Sequence, residues 1–277
     1  MKISFLLFEN YWQRKNIGSS RIRGHWLLKH IPEAEIYKQG GKYDVIYFQK
    51  VYWKEMIREF KGIKILDICD PDWLDGMEVV EIFNNVNAIT TSTEKLAEDI
   101  RKMTKTPVYF IPDGVDFESL PEPKKHIGKA KKVCWFGYIH NSSILDPTLM
   151  KLRNLGLTLR VISEGNYNTS ECSVENVKWK IETVNQDIQE CDIVIMPEYL
   201  SGRGLYKSQN KTYQAWSLGM PVAKTAKDLE RFMDANERNK EAEEKYKWVK
   251  ENCDVKNSAK QLMDIINQCI AKKKQSK

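Results

Sequence analysis

No run of apolar residues in this 277-residue chain approaches the roughly 20 needed to cross a bilayer as a helix, which excludes a membrane-spanning segment of that kind. The first apolar run, Ile3 to Phe8, breaks at Glu9-Asn10, and no small-residue cleavage site follows; it reads as a first strand rather than a signal peptide. None of the six cysteines (Cys69, Cys134, Cys172, Cys191, Cys253, Cys269) stands in a C-x-x-C pair, so a zinc ribbon or a dithiol redox centre is not written here. Cys69, Cys134 and Cys191 sit in or beside strand-like runs, where a reduced thiol acts as a small apolar group. That usage fits a reducing cytoplasm. The four histidines are scattered too, so no metal cluster is visible and no metal or resident cofactor is expected. Internal repeats are missing, as are low-complexity blocks beyond a lysine-rich tail.

What is present is a globular composition: 42% hydrophobic and 30% charged residues, in a length that accommodates two domains. Short β-branched runs alternate with helical patterns. Ile3–Phe8, Asp44–Gln49, Ile63–Ile68, Val86–Thr91 and Pro107–Ile111 read as strands. A Pro-, Lys- and Glu-rich stretch follows, and the alternation resumes with Lys132–Gly137, Leu157–Ser163, Val177–Trp179, Ile193–Met196 and Val222. Two rounds of this pattern predict two Rossmann-like parallel-sheet units. The expected boundaries are 1–120, a linker at 121–131, 132–254, and a C-terminal helix with a basic tail at 255–277, possible as a crossing back to the first domain. Its apolar positions Leu262, Ile265, Ile266 and Cys269 recur at helical spacing.

The net charge of +6 is concentrated in Lys124, Lys125, Lys129, Lys131 and Lys132 and in Lys272, Lys273, Lys274 and Lys277. Two readings stand: a solvated linker and tail, or attraction to an anionic partner such as nucleic acid or a lipid surface.

The most informative stretch is Cys191 to Thr225. An apolar strand stops at Pro197. A polar loop with Gly202 and Gly204 follows, then a helix through Lys211, Gln214 and Leu218, ended by Gly219 and Pro221. A strand, a cationic loop and a helix N-terminus in that order favour an anion, because free N–H groups and the helix dipole converge there. Lys207 and Lys211 add charge; Ser208, Gln209, Asn210 and Thr212 add neutral donors. An ordinary solvated loop before a helix is the other reading.

Asp192-Ile-Val-Ile-Met-Pro … Gln214-Ala-Trp-Ser-Leu-Gly-Met-Pro-Val222 resembles the donor-site segment of glycosyltransferases with the GT-B fold, in particular the large retaining group. Thr91-Ser-Thr-Glu-Lys-Leu-Ala … Ile111-Pro-Asp-Gly-Val-Asp116 is similar to the close of the first domain in the same family. The resemblance implies two Rossmann-like domains facing a cleft, and retaining transfer from a nucleotide-diphosphate sugar to an acceptor hydroxyl. The family's paired Glu residues are replaced here by Tyr206 and Gln214. The resemblance leaves Gln214 to bond the donor ribose, and places the diphosphate at the Lys207–Lys211 helix start without a metal. The Arg and Lys that the family carries after Gly137 are also missing; His140, Asn141 and Ser142 occupy their place. Glu164 ends the next strand, near where the family holds its nucleotide. The donor set on this resemblance is Gly137, Asn141, Ser142, Glu164, Lys207, Ser208, Asn210, Lys211 and Gln214.

On the acceptor side, Gly18-Ser19-Ser20-Arg21-Ile22-Arg23 turns into a helix, and Ser19, Ser20, Arg21 and Arg23 are expected to touch phosphate or acceptor; surface arginines on a first helical turn are the alternative. Asp70 and Asp72 follow a strand's C-terminal end, where open α/β sheets bind ligands. Each is read as a base or acceptor ligand, or as a capping carboxylate of a Pro-Asp turn. Asp70 and His140 are the catalytic candidates. The acceptor is expected to be a glycan, a small molecule or DNA, the last as in some viral GT-B enzymes that transfer a sugar to modified bases. A degenerate domain that binds a nucleotide or a glycan without catalysis is the non-enzymatic alternative.

Overall fold

The computed structural model describes residues 1–275, so Lys277 of the basic tail lies outside the described residues. The chain divides into two compact units: Met1–Gly114 with Ser201–Ser208 and the chain from Cys253 onward, and Val115–Leu200 with Gln209–Asn252.

The first unit is built on six parallel strands: β1 (Ile3–Leu7), β2 (Ala34–Ile36), β3 (Val45–Gln49), β4 (Ile63–Ile68), β5 (Ala88–Thr91) and β6 (Val108–Phe110). Their order is β2-β1-β3-β4-β5-β6, and every pairing is parallel. Parallel strands are covered on both faces, so they read as continuous apolar runs. Alternate residues feed the two faces. Ile3, Phe5, Val45, Tyr47, Ile63 and Ile65 pack with Val255, Leu262 and Ile266 of the helix Val255–Gln275. Leu6, Ile46, Phe48, Leu66 and Ile68 pack on the other side with Ile57, Phe83 and Ile100. The strand β2 carries no sequence signal; it is a three-residue, half-buried edge with a charged centre. Elsewhere the pattern is legible down to the caps: Thr93 opens the helix Glu94–Arg101 by accepting the Leu96 N–H.

The second unit carries five parallel strands, β7 (Lys132–Phe136), β8 (Thr158–Ser163), β9 (Val174–Lys178), β10 (Ile193–Ile195) and β11 (Val222–Ala223), in the order β11-β10-β7-β8-β9. Val133, Trp135, Leu159, Val161 and Ile193 line one face; Cys134, Phe136, Ile162 and Val194 line the other. The stretch 121–131, read from composition as a linker, is packed into this unit. The Lys124 N–H donates to the Leu218 carbonyl, and Arg238, fully buried, donates to the carbonyls of Ile127 and Gly128. Gly219 follows the helix Asn210–Ser217 with φ +72°, and a side-chain carbon there would collide with the Lys124 backbone.

His126, 3% exposed, donates through Nε2 to the Gly219 carbonyl at 2.9 Å. Burial lowers its pKa from 6.5 to about 4, and the charges of Lys124 and Arg238 add to the effect against the weaker pull of that hydrogen bond and of Asp192. The unfolded chain therefore takes up a proton near pH 6.5 that the folded ring refuses until about pH 4. Stability is fully present above pH 6.5 and falls as the pH drops to about 4, by about 3 kcal/mol at most. Urea unfolding between pH 8 and pH 4 should show this decline, and His126→Gln should flatten it; an equal slope in the variant would contradict the assignment.

Among the described residues no helix is long and apolar enough to cross a membrane.

Candidate functional site

Each sheet has one point where the strand order reverses, and open α/β sheets bind ligands outside the carboxyl ends of the strands at such a point. In the first sheet the reversal falls between β1 and β3, and in the second between β7 and β10.

At the β1/β3 reversal the chain turns through Phe8 and Glu9, and through Lys50. Ser20, fully buried, fastens the two: its Oγ donates to Gln49 Oε1 at 2.8 Å and accepts the Glu9 N–H at 3.2 Å, while the Phe8 N–H donates to the same Gln49 oxygen at 3.2 Å. Ser20 is thereby used internally and does not face a ligand. Arg23 likewise departs from the sequence expectation. The helix begun at Gly18 widens to π geometry over Arg21–His25, and Ile22, Arg23 and Gly24 all point inward. The Arg23 guanidinium donates to Asp67 at 2.7 and 2.8 Å, to Asp113 at 2.8 Å and to the Ile111 carbonyl at 2.9 Å. Thr90 donates to Asp67 as well, at 2.7 Å. Burial alone would lower the Arg23 pKa; the neighbouring charge of Asp67 reverses this and holds it well above the ordinary value. Every part of this guanidinium is committed inside the sheet, so it does not reach phosphate or acceptor. Ser19 and Arg21 are half-buried on the same turn.

Asp70 and Asp72 do come together with cations. Lys50 Nζ lies 2.6 Å from Asp70 and 3.6 Å from Asp72, Tyr52 Oη donates to Asp72 at 2.6 Å, and Lys207 lies 3.5 Å from Asp70. Arg203 pairs with Asp75 and approaches Asp72 at 3.7 Å. The two carboxylates are pushed apart. Burial raises Asp72, and the nearby Asp70 charge adds to it against Lys50 and Tyr52. Burial also works to raise Asp70, but Lys50, Lys207 and Arg203 outweigh it and the carboxyl lies below its usual value. The Asp72 side chain is 5% exposed and that of Asp70 is 22%, so Asp70 is the carboxylate a hydroxyl can reach.

Lys50 is the member of this cluster that the sequence reading did not single out. It follows β3 directly, in the left-handed region at φ +54°, a conformation that costs a non-glycine residue on the order of 1–3 kcal/mol. Its position just past a strand at the reversal point is the signal that was available. The loop Ser201–Ser208 also departs from expectation: it belongs to the first unit, and its Lys207 and Arg203 meet carboxylates there.

At the β7/β10 reversal, Gly137 follows β7. Lys211, in the first turn of the helix Asn210–Ser217, lies with Nζ 5.3 Å from the Trp135 ring centre, and a side-chain carbon at 137 would run into its ammonium. Gly137, Asn210 and Lys211 therefore share one edge of the second unit. His140 is exposed and stacks on Tyr138 at 5.6 Å, with Asn141 3.1 Å from its ring nitrogen. Glu164 accepts the Ile139 N–H at 3.1 Å and the Ser163 hydroxyl at 2.8 Å, which ties it to the turn 139–145 that also contains Ser142. Although burial works to raise it, the Glu164 carboxyl lies below its usual value because its own backbone N–H, the Ser163 hydroxyl and the Ile139 N–H all donate to it. Gln214 donates to Asn185 at 2.9 Å. Ser208 closes the loop that groups with the first unit.

No protein-family model matches the sequence, and no curated protein matches it. Solved structures do resemble it. AviGT4, a glycosyltransferase involved in avilamycin A biosynthesis, superposes with a TM-score of 0.60 over 98% of both chains at 10% identity. The DNA modifying enzyme beta-glucosyltransferase gives 0.60 over 96% of this chain and 99% of its own, also at 10% identity. TarM gives 0.61 at 12% identity over 80% of this chain; the chain spans only 54% of TarM. At these identities the likeness is one of fold. The two parallel-sheet α/β units are those of the GT-B glycosyltransferase fold.

Proposed function

We propose that this protein transfers a sugar from a nucleotide-diphosphate sugar to an acceptor hydroxyl, with the donor held on the second unit and the acceptor on the first. The observation that carries the reading is the Lys211 ammonium set over Gly137 at the carboxyl end of β7, at the head of a helix whose first N–H groups have no helical partner. A diphosphate leaving group gains negative charge as the glycosidic bond breaks. A fixed cation and oriented N–H groups stabilise that charge more in the transition state than in the ground state. In this reading the leaving group needs no metal. Asp70 accepts the hydrogen bond of the acceptor hydroxyl and takes its proton as the new bond forms. A single displacement of this kind inverts the anomeric centre, whereas the retention implied by the resemblance at 191–222 requires attack from the leaving group's own face; the anomeric coupling of the product distinguishes the two.

Release of nucleoside diphosphate from a panel of UDP-, GDP-, ADP-, CDP- and TDP-sugars tests the activity. Lys211→Ala should raise the donor KM and lower kcat together, for a loss of about 10²-fold in kcat/KM, because its partner charge grows along the reaction. Gly137→Ala should weaken the donor by displacing the same ammonium. Unchanged kinetics in both variants would remove this edge from the site.

A further inference from the structure

The β1/β3 reversal carries a feature that neither donor binding nor proton transfer uses. The chain leaving β1 places Phe8, Tyr11 and Trp12 in succession, and the chain leaving β3 brings Trp53 beside them. Tyr11 meets Trp12 edge-on at 5.1 Å and Trp53 at 5.7 Å; Phe8 lies 6.4 Å from Trp12. Trp12 is 55% exposed and Tyr11 is 36% exposed. Large aromatic rings gathered in the open at a ligand-binding strand edge mark a contact surface, since burying them would otherwise stabilise the fold. The Lys50 ammonium sits 5.5 Å from the Phe8 ring and 2.6 Å from Asp70, which joins the aromatic surface to the carboxylates.

We infer that this surface receives the acceptor and that the acceptor is a neutral carbohydrate, whose C–H face stacks on Trp12 and Tyr11 while its hydroxyls reach Asp70. The inference rests on the proposed sugar transfer for its purpose but on separate residues for its test. Charge decides the class of occupant. Most cations around the surface are matched by carboxylates: Lys50 and Lys207 by Asp70, Arg203 by Asp72 and Asp75, and Lys54 by Glu78 and Glu81, while Arg14 lies against the Phe8 ring at 6.0 Å. A nucleic-acid strand binds chiefly through cations that neutralise its phosphates, and carboxylates at the contact repel it. A sugar needs an apolar face for its C–H groups and acceptors for its hydroxyls, and ionised carboxylates supply the second.

Saturation-transfer NMR with neutral gluco-, galacto-, manno- and N-acetylglucosamine-configured oligosaccharides at millimolar concentration tests this on the full chain. A single-stranded DNA 12-mer and a DNA duplex run in parallel. At least one saccharide should bind the wild type, Trp12→Ala should weaken it tenfold or more, and Trp12→Phe should keep it within threefold. Both variants change an exposed side chain, and an unaltered melting temperature would confirm that they fold. Binding of DNA with the same dependence on Trp12, or saccharide binding indifferent to Trp12→Ala, or no saccharide binding at all, would overturn the inference. Nucleoside-diphosphate binding in the same samples separates the two readings. If it persists while saccharides fail, the aromatic surface is reassigned and the transferase reading stands; if it fails while saccharides bind through Trp12, the reverse holds.

Discussion

Arg23→Met is expected to destabilise the protein by about 3–5 kcal/mol, the usual consequence of removing one partner from a buried ion network. The side chain is 3% exposed, and its two carboxylate partners are 0% and 8% exposed. With the cation gone, Asp67 and Asp113 remain as buried like charges with no counter-charge among their described bonds. Methionine restores most of the volume, so the loss reports on charge rather than on a cavity. Adding Asp67→Asn to Arg23→Met should recover part of the loss, because contacting residues in one network couple non-additively. Urea unfolding of the two variants checks this. A single variant within about 1 kcal/mol of the wild type, inside the ordinary range of surface substitutions, would contradict the structural role and reopen Arg23 as a ligand contact.

The second large effect is kinetic. Asp70→Asn should reduce sugar transfer by about 10²- to 10⁴-fold, the range for a positioned general base, and leave nucleotide binding on the second unit unchanged. The isosteric amide keeps the turn after β4 but cannot take a proton. A merely structural turn residue would instead lower melting temperature and both kinetic parameters together. Lys50 provides a further check. Burial pushes the Asp70 carboxyl up and Lys50 is the largest influence holding it down. Lys50→Met should therefore move the acidic limb of the pH–rate profile upward. An unmoved limb would separate Asp70 from the proton transfer.

The strands were legible in the sequence because both faces of a parallel sheet are covered, so runs such as Ile193–Ile195 and Ile63–Ile68 carry their signal in composition alone. The edge strand Ala34–Ile36 was not, since half-buried positions impose no pattern. The location of the Asp70–Asp72 pair followed from its place after a strand. Arg23 could not be read in the same way. A Gly-Ser-Ser-Arg turn looks identical whether its arginine faces out or in, and the carboxylates that decide it lie 44 and 90 residues away. Nor could Lys207: its neighbours in sequence are donor-helix residues, while its ion pair is with Asp70 in the first unit. Lys50 could be placed just past β3, but its left-handed backbone, which sets where its ammonium points, leaves no trace in residue type.

The central claim is that the second unit holds a nucleoside diphosphate through Lys211 and the helix start. The most direct measurement is thermal stabilisation by UDP, GDP, ADP, CDP and TDP, with and without EDTA, in the wild type and in Lys211→Ala. A ligand that binds only the folded state stabilises it by about 2.7 kcal/mol at a hundredfold excess over its Kd. The melting temperature is expected to rise by several degrees with one nucleotide, indifferent to EDTA and largely lost in Lys211→Ala. No rise with any nucleotide at millimolar concentration, or a rise that survives Lys211→Ala intact, would contradict it.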